Sequence, residues 1–324
     1  MIFLRNKAIF NKKNEMSYLN TEIRSFDLTP LTLYNWDCDN PKAILHIVHG
    51  MSEHAARYDH FAQWLNTKNI SVVSSDLRGH GKTAGELKNV GHFATRNGWE
   101  KVCKDIVLIT ESIIEKHPNL PIIFLGHSMG SFLVRKISYS YPDYGQGYIF
   151  SSTAGHPGLL GIAGIRISNI NVKLMGKRNK SQLMTKLTFG DFNKKYKDKK
   201  TNKDWLSKDE SIVNKYINDP YCMQTFSSQF YSDLVNGLLE INDSNNIGKM
   251  KKEIPVLFFA GDMDPVGNYG KGPLEVQKKM KAVGLTDIEF KMYEGGRHEM
   301  LNEINKMEVY DLVLNWINSK FIHD

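Results

Sequence analysis

The pentapeptide Gly126-His127-Ser128-Met129-Gly130 sets a serine between two glycines, directly after the apolar run Ile122-Ile123-Phe124-Leu125. With a strand before it and a helix after it, this G-x-S-x-G pattern turns the chain sharply and leaves the serine hydroxyl at the apex as a nucleophile. Side chains at the two glycine positions would collide with the neighbouring strand and helix. The helix that follows points its positive end at the serine, where negative charge develops during attack. A hydroxyl is a weak nucleophile and needs a base, which in turn needs an orienting acid. Two late segments offer them, Gly261-Asp262-Met263-Asp264-Pro265 and Gly296-Arg297-His298-Glu299. His298 is the expected base; between Ser128 and the C-terminal tail the sequence holds only one other histidine, His156. Either Asp262 or Asp264 could supply the acid, and spacing does not choose between them. The oxyanion of a tetrahedral intermediate needs two backbone donors. The expected pair is the N–H of Met129 and that of Met51, the latter in the His49-Gly50 loop where glycine admits close approach. Losing one such donor costs about 3 kcal/mol of transition-state stabilisation. This is the equipment for acyl transfer through an acyl-enzyme, and it needs no cofactor.

To assemble these residues the chain must supply strands that end where the chemistry begins. Apolar runs at 44–48, 70–73, 122–125, 148–150, 255–259 and 288–292 are each closed by a turn. Short β-branched or aromatic runs of this kind read as buried parallel strands. Helical spacing lies between them. Val102, Ile106, Ile109, Ile113 and Ile114 precede Pro118; Phe132, Leu133, Ile137 and Tyr141 precede Pro142; Val309, Leu312, Val313, Trp316 and Ile317 form a stripe near the end. Residues 22–27 and 31–36 read as an antiparallel pair that opens the sheet. The alternation predicts an α/β fold, a mostly parallel sheet of the eight-stranded type with helices on both faces. Residues 153–246 break the rhythm and are too long for a loop. They are rich in Lys, Asn and Ser and predict a helical cap insertion over the sheet's carboxyl edge. The expected division is a polar lead-in at 1–15, a core at 16–152 and 247–324, and the cap at 153–246. Met16 is an alternative start.

Bulk properties narrow the setting. The three cysteines, Cys38, Cys103 and Cys222, are odd in number and far apart, which argues against a disulfide framework or a cysteine-based zinc site. No stretch has the order of a secretory signal or the length of a membrane span, so a cytoplasmic protein is expected. The net charge of +7 is concentrated between Lys173 and Lys203. It predicts weak, salt-dependent contact with anionic membrane surfaces. Nothing matches a nucleic-acid-binding module. His46, His49, His54 and His60 cluster in sequence without a matching Cys or carboxylate pattern, and no metal is expected. His298-Glu299 begins like HExxH, but Asn302 stands at the fifth position. Gly79-His80-Gly81 lacks the rest of a dinucleotide fingerprint, and Arg78 and His80 are expected to brace their loop.

Taken together, several motifs resemble the monoacylglycerol lipase and lysophospholipase group of α/β-hydrolases, which are serine aminopeptidase S33-like. They are His49-Gly50-Met51-Ser52-Glu53-His54 with Arg57-Tyr58, Asp76-Leu77-Arg78-Gly79-His80-Gly81, the Ser128 pentapeptide, Asp264-Pro265, and Arg297-His298-Glu299-Met300-Leu301-Asn302-Glu303. The resemblance runs from about residue 22 to the C-terminus. It implies the α/β-hydrolase fold, hydrolysis of lipid-like monoacyl esters, Asp264 rather than Asp262 as the acid, and a cap that shapes an acyl tunnel. It also implies that Glu53 and Arg57 help hold the alcohol portion; an internal ion pair is the alternative use of these two residues. The chain departs from the group at Met51, where a small residue is common. Its Lys- and Asn-rich cap also differs from the apolar, membrane-touching cap of the animal enzymes. Two rivals remain: another acyl hydrolase or transferase on the same triad (thioesterase, amidase, acyltransferase), and a binding protein on a hydrolase fold. If Ser128, His298 and the acid act as a unit, Ser128→Ala and His298→Ala each lower turnover by roughly 10⁴-fold or more, and to similar levels. Steady-state kinetics on one ester checks this, and near-normal turnover in His298→Ala would remove the histidine from the set.

Overall fold

The computed structural model describes residues 18–197 and 199–322, so the expected lead-in at 1–15 and Met16 lie outside the described residues. Eight strands form one sheet: β1 (Leu19–Arg24), β2 (Pro30–Trp36), β3 (Ala43–Val48), β4 (Ile70–Ser75), β5 (Ile122–His127), β6 (Gly147–Ser151), β7 (Val256–Gly261) and β8 (Ile288–Tyr293). Their order is β1-β2-β4-β3-β5-β6-β7-β8. β1 and β2 form the antiparallel pair read from the sequence, but β1 ends at Arg24 rather than 27, because Leu28 N donates to Ser25 O and closes the turn there; β2 also runs antiparallel to β4. The remaining neighbours are parallel. The strands extend one or two residues beyond the apolar runs, because ladder hydrogen bonds continue through Ser74-Ser75, Gly126-His127 and Ala260-Gly261.

All residues of β3 to β7 are buried, which explains why apolar residues dominate them. Successive side chains leave a strand on opposite faces. Leu45, Ile47, Ile123, Leu125, Leu257 and Phe259 therefore enter one core, and Ile44, Val48, Ile122, Phe124, Val256 and Phe258 the other. The first core is covered by α1 (Asp59–Asn66) and α10 (Lys306–Phe321). The second is covered by α2 (Gly98–Lys116), α3 (Met129–Ser140) and α9 (Lys271–Ala282). The predicted stripes sit on α2, α3 and α10, with Val102, Ile106, Ile109, Phe132, Leu133, Val309 and Val313 all buried. Arg78, just beyond β4, is braced as expected. It pairs with Asp27 at 2.7 Å and with Asp105 of α2, and so ties the β1–β2 turn to the sheet.

The segment between β6 and β7 is helical: α4 (Gly158–Met175), α5 (Gln182–Phe189), α6 (Glu210–Asn218), α7 (Ser228–Ile241) and the single turn α8 (Ser244–Ile247). Ser181, Asp209 and Ser227 cap α5, α6 and α7 by accepting from backbone N–H groups in the first turn, which fixes where each helix begins. α7 packs on α4 above it and on α2 and α3 below. Both ends of this insertion are held by one buried side chain of α3. Arg135 donates to Ala154 O at 2.8 Å, to Ile241 O at 3.0 Å and to Asn242 Oδ1 at 3.0 Å. A separate cluster of Tyr196, Trp205, Leu206, Tyr216 and Cys222 forms its own small core. The cap is not uniformly polar, as its Lys- and Asn-rich composition suggested. Leu159, Ile170, Leu174 and Met175 of α4 and Leu183 and Leu187 of α5 are exposed, interspersed with the exposed basic residues Arg166, Lys173 and Lys186. No helix of the described residues is long and apolar enough to cross a membrane.

Candidate active site

Ser128 stands between the end of β5 and the start of α3 with φ 52° and ψ −122°. This is a left-handed conformation that a residue with a side chain adopts only where its surroundings impose it. Those surroundings are visible. A Cβ on Gly130 would lie 1.9 Å from Val48 O, and one on Gly126 would lie 2.6 Å from Gly130 O. The turn is thus pressed against the end of β3 and against its own helix. Ser128 N donates to Ser151 O at 2.9 Å, which joins the turn to β6.

The loop after β3 lies beside it. A Cβ on Gly50 would approach Ser128 Cβ to 3.2 Å. His49 is buried, and burial lowers its pKa to about 3, so the ring is neutral. Its Nε2 accepts from Leu77 N at 2.9 Å, which leaves the Nδ1 proton to donate to Gly50 O at 2.8 Å. Gly50 N donates to Glu53 Oε1 at 2.6 Å, and Ala55 N donates to Asp76 Oδ1 at 2.9 Å. The loop is therefore pinned on both sides of Met51. Met51 and Met129 line the same cavity as Ser128. Neither of their N–H groups donates to another described residue.

His298 follows β8. A Cβ on Gly261 would sit 2.0 Å from Gly296 O, so the glycine at the end of β7 lets this loop close over it. His298 Nδ1 bonds Asp264 Oδ1 at 2.9 Å, while Asp262 accepts from Gly295 N at 2.7 Å and stabilises the turn. Of the two acids that spacing left open, Asp264 is the one that reaches the imidazole. It is fully buried, and Val266 N donates to the same Oδ1. Burial opposes protonation of His298, but the adjacent Asp264, and beyond it Glu299 and Glu53, outweigh burial and raise its pKa. His127, with its ring centroid 4.8 Å from that of His298, is held neutral at a pKa of about 4 by burial. No hydrogen bond joins Ser128 to His298 among the described residues, though both line one cavity. Such bonds are often long in unliganded hydrolases and tighten when substrate binds.

Glu53 and Arg57 meet in an ion cluster. Arg57 donates to Glu53 Oε2 at 2.8 Å and, in a two-pronged grip, to Glu299 Oε1 and Oε2 at 2.8 and 2.7 Å. Glu53 lines the cavity, whereas Arg57 stands behind it against the Tyr216 ring. The partner of Arg57, Glu299, was legible only as the neighbour of His298. The four sequence-clustered histidines do not gather. His46 bonds Thr110 inside the sheet core, and His54 pairs with Asp219 of the cap at 2.9 Å.

The cavity encloses about 910 Å³. Phe132, Met184, Leu234 and Leu238 line it from the larger core with Ile167, whereas Trp205 and Tyr216 line it from the separate small core together with Lys203, His298 and Glu299. Trp205 lies with its ring centroid 5.1 Å from that of His298, and Trp205 O accepts from His298 N. The cap was foreseen only as a region, so these contacts were not. Their sequence trace is a tryptophan two residues beyond the basic stretch that ends at Lys203.

The family model for "Serine aminopeptidase, S33" matches residues 39–305. A monoacylglycerol lipase of Mycolicibacterium smegmatis is 27% identical over 290 residues, covering 88% of this chain and 91% of that protein. A monoglyceride lipase of Mus musculus is 26% identical over 284 residues, covering 87% and 83%. Among solved structures, a thermostable carboxyl esterase of Bacillus coagulans in complex with glycerol superposes with a TM-score of 0.87 at 26% identity, covering 94% of this chain and 99% of that one. The fold is the α/β-hydrolase fold. Replacing Asp264 by Asn removes the largest influence that raises the His298 pKa and leaves burial less opposed, so the imidazole is expected to titrate at lower pH than in wild type. Ring-proton NMR titration of the two proteins reads this, and an unchanged midpoint would contradict the electrostatic account.

Proposed function

The chain belongs to the serine aminopeptidase S33 family, and on that premise we propose that it is a serine carboxylic ester hydrolase acting on lipid-like monoacyl esters. The observation that carries this reading is the His298–Asp264 pair on the same cavity as the strained Ser128. Ser128 Oγ attacks the ester carbonyl as His298 Nε2 takes its proton, and Asp264 holds the Nδ1 proton in place. The N–H groups of Met51 and Met129 receive the oxyanion. His298 returns the proton to the leaving alkoxide, and water activated by the same nitrogen then hydrolyses the acyl-enzyme. Glu53 acts first on the loop, by holding Gly50 N, and Arg57 acts through it. An apolar wall wide enough for an acyl chain favours lipid esters over peptides, as do relatives named as monoacylglycerol lipases.

The test compares a short nitrophenyl ester, a monoacylglycerol and a lysophospholipid, with wild type beside Ser128→Ala. Hydrolysis is expected in wild type alone. A folded wild-type protein that cleaves none of the three and resists a fluorophosphonate label would overturn the reading. The cap is expected to rest on lipid surfaces, with the exposed apolar residues of α4 and α5 flanked by exposed Arg166, Lys173, Arg178 and Lys186. Sedimentation with anionic vesicles should show binding that weakens from low to high salt. Equal binding at both salt levels would sink the electrostatic part.

A further inference from the structure

We propose that Lys203 receives an anionic group on the alcohol portion of the substrate, so that the enzyme selects monoacyl esters with a negative head group over neutral ones. This rests on the ester-hydrolase reading above and names its substrate class.

Lys203 lines the cavity, and its ammonium lies among three rings: 5.5 Å from the Phe189 centroid, 6.0 Å from Trp205 and 5.8 Å from Tyr216. Among the described residues its Nζ has no carboxylate or hydrogen-bond partner. The carboxylates that share the cavity are already committed. Glu53 and Glu299 grip Arg57, and Glu275 pairs with Lys279 at 2.8 Å. Burial pushes the Lys203 pKa down, opposed only by Cys222, whose own thiol is held protonated by burial. Aromatic faces attract an ammonium, but they do not replace a counter-ion in a partly dry cavity. Arg57 shows the contrast: it lies against the same Tyr216 ring and is fully paired.

The Trp205 ring lies 6.0 Å from the Lys203 ammonium and 5.1 Å from the His298 ring, centroid to centroid in the second case. His298 must hand its proton to the leaving oxygen, so the alcohol portion of the ester lies on this side. The lining that belongs to the larger core, Phe132, Met184 and Leu234, is separate from the Trp205 and Tyr216 cluster and is left for the acyl chain. An anion carried on the alcohol is thereby brought towards Lys203. The shared chemistry is a phosphate or a carboxylate on a short polyol ester.

The experiment measures kcat/KM for four octanoyl esters: of nitrophenol, of glycerol, of glycerol 3-phosphate and of glycerate. In wild type both anionic esters are expected to exceed the glycerol ester by about ten-fold or more, the worth of one charge-assisted contact. Lys203→Met should collapse that ratio towards one, chiefly through KM, and Lys203→Arg should restore much of it. A preference for the phosphate ester alone assigns a phosphate head group, and a preference shared by glycerate assigns an anion of either kind. If Lys203→Met lowers all four rates in proportion and leaves the ratio intact, Lys203 is structural and the proposal falls. If wild type cleaves the nitrophenyl ester without an anionic preference, this proposal falls and the ester-hydrolase reading stands. If it cleaves none of the four, both fall.

Discussion

The turn at Ser128 is wedged so tightly between β3 and the first turn of α3 that only glycine fits at positions 126 and 130. That close approach imposes the left-handed backbone at Ser128, and it also lays the Met51 loop beside the hydroxyl. A strained residue costs on the order of 1–3 kcal/mol and persists only where its neighbours over-determine it. Here the neighbours are the parallel ladder from β3 through β5 to β6 and the buried cores on both faces of the sheet. The strain is held by the central sheet, and the loops inherit their positions from it.

A second constraint joins loops that are far apart in sequence. Arg57 binds Glu53 beside the Met51 loop and Glu299 beside His298, and all three are nearly buried. Removing one member of such a buried cluster leaves charge uncompensated, at a cost of about 3–5 kcal/mol. The cluster carries two carboxylates against one guanidinium. Glu299 and Glu53 therefore add to Asp264 in raising the His298 pKa, against the burial that would lower it. The same contacts that align the two loops also set the electrostatics of the imidazole between them.

The cap contributes by enclosure. Arg135 anchors both of its ends to α3, the helix that begins at the Ser128 turn. Trp205 and Leu206 accept from the backbone N–H groups of His298 and Glu299, so the inner edge of the helical segment touches the loop after β8 directly. Between these anchors the helices leave a cavity lined by Phe132, Met184 and Leu234, and by Trp205, whose ring lies between His298 and the Lys203 ammonium.

The sequence by itself determined the sheet, the turn and the loops. Buried parallel strands must be continuously apolar, helices must carry stripes, and a tight strand-to-helix turn must have glycine where backbones touch. These local rules leave local traces at 44–48, 122–130 and 296–298. The antiparallel opening pair was legible for the same reason. Asp262 and Asp264 could not be separated by spacing, because both follow the same strand; their direction of approach to His298 is set by how the β7 and β8 loops fold over Gly261. The pairing of Arg57 with Glu299 and the isolation of Lys203 among three rings were decided only by tertiary structure. Such contacts join residues with no periodic relation, and whether a charge is paired depends on which side chains the packing brings within reach.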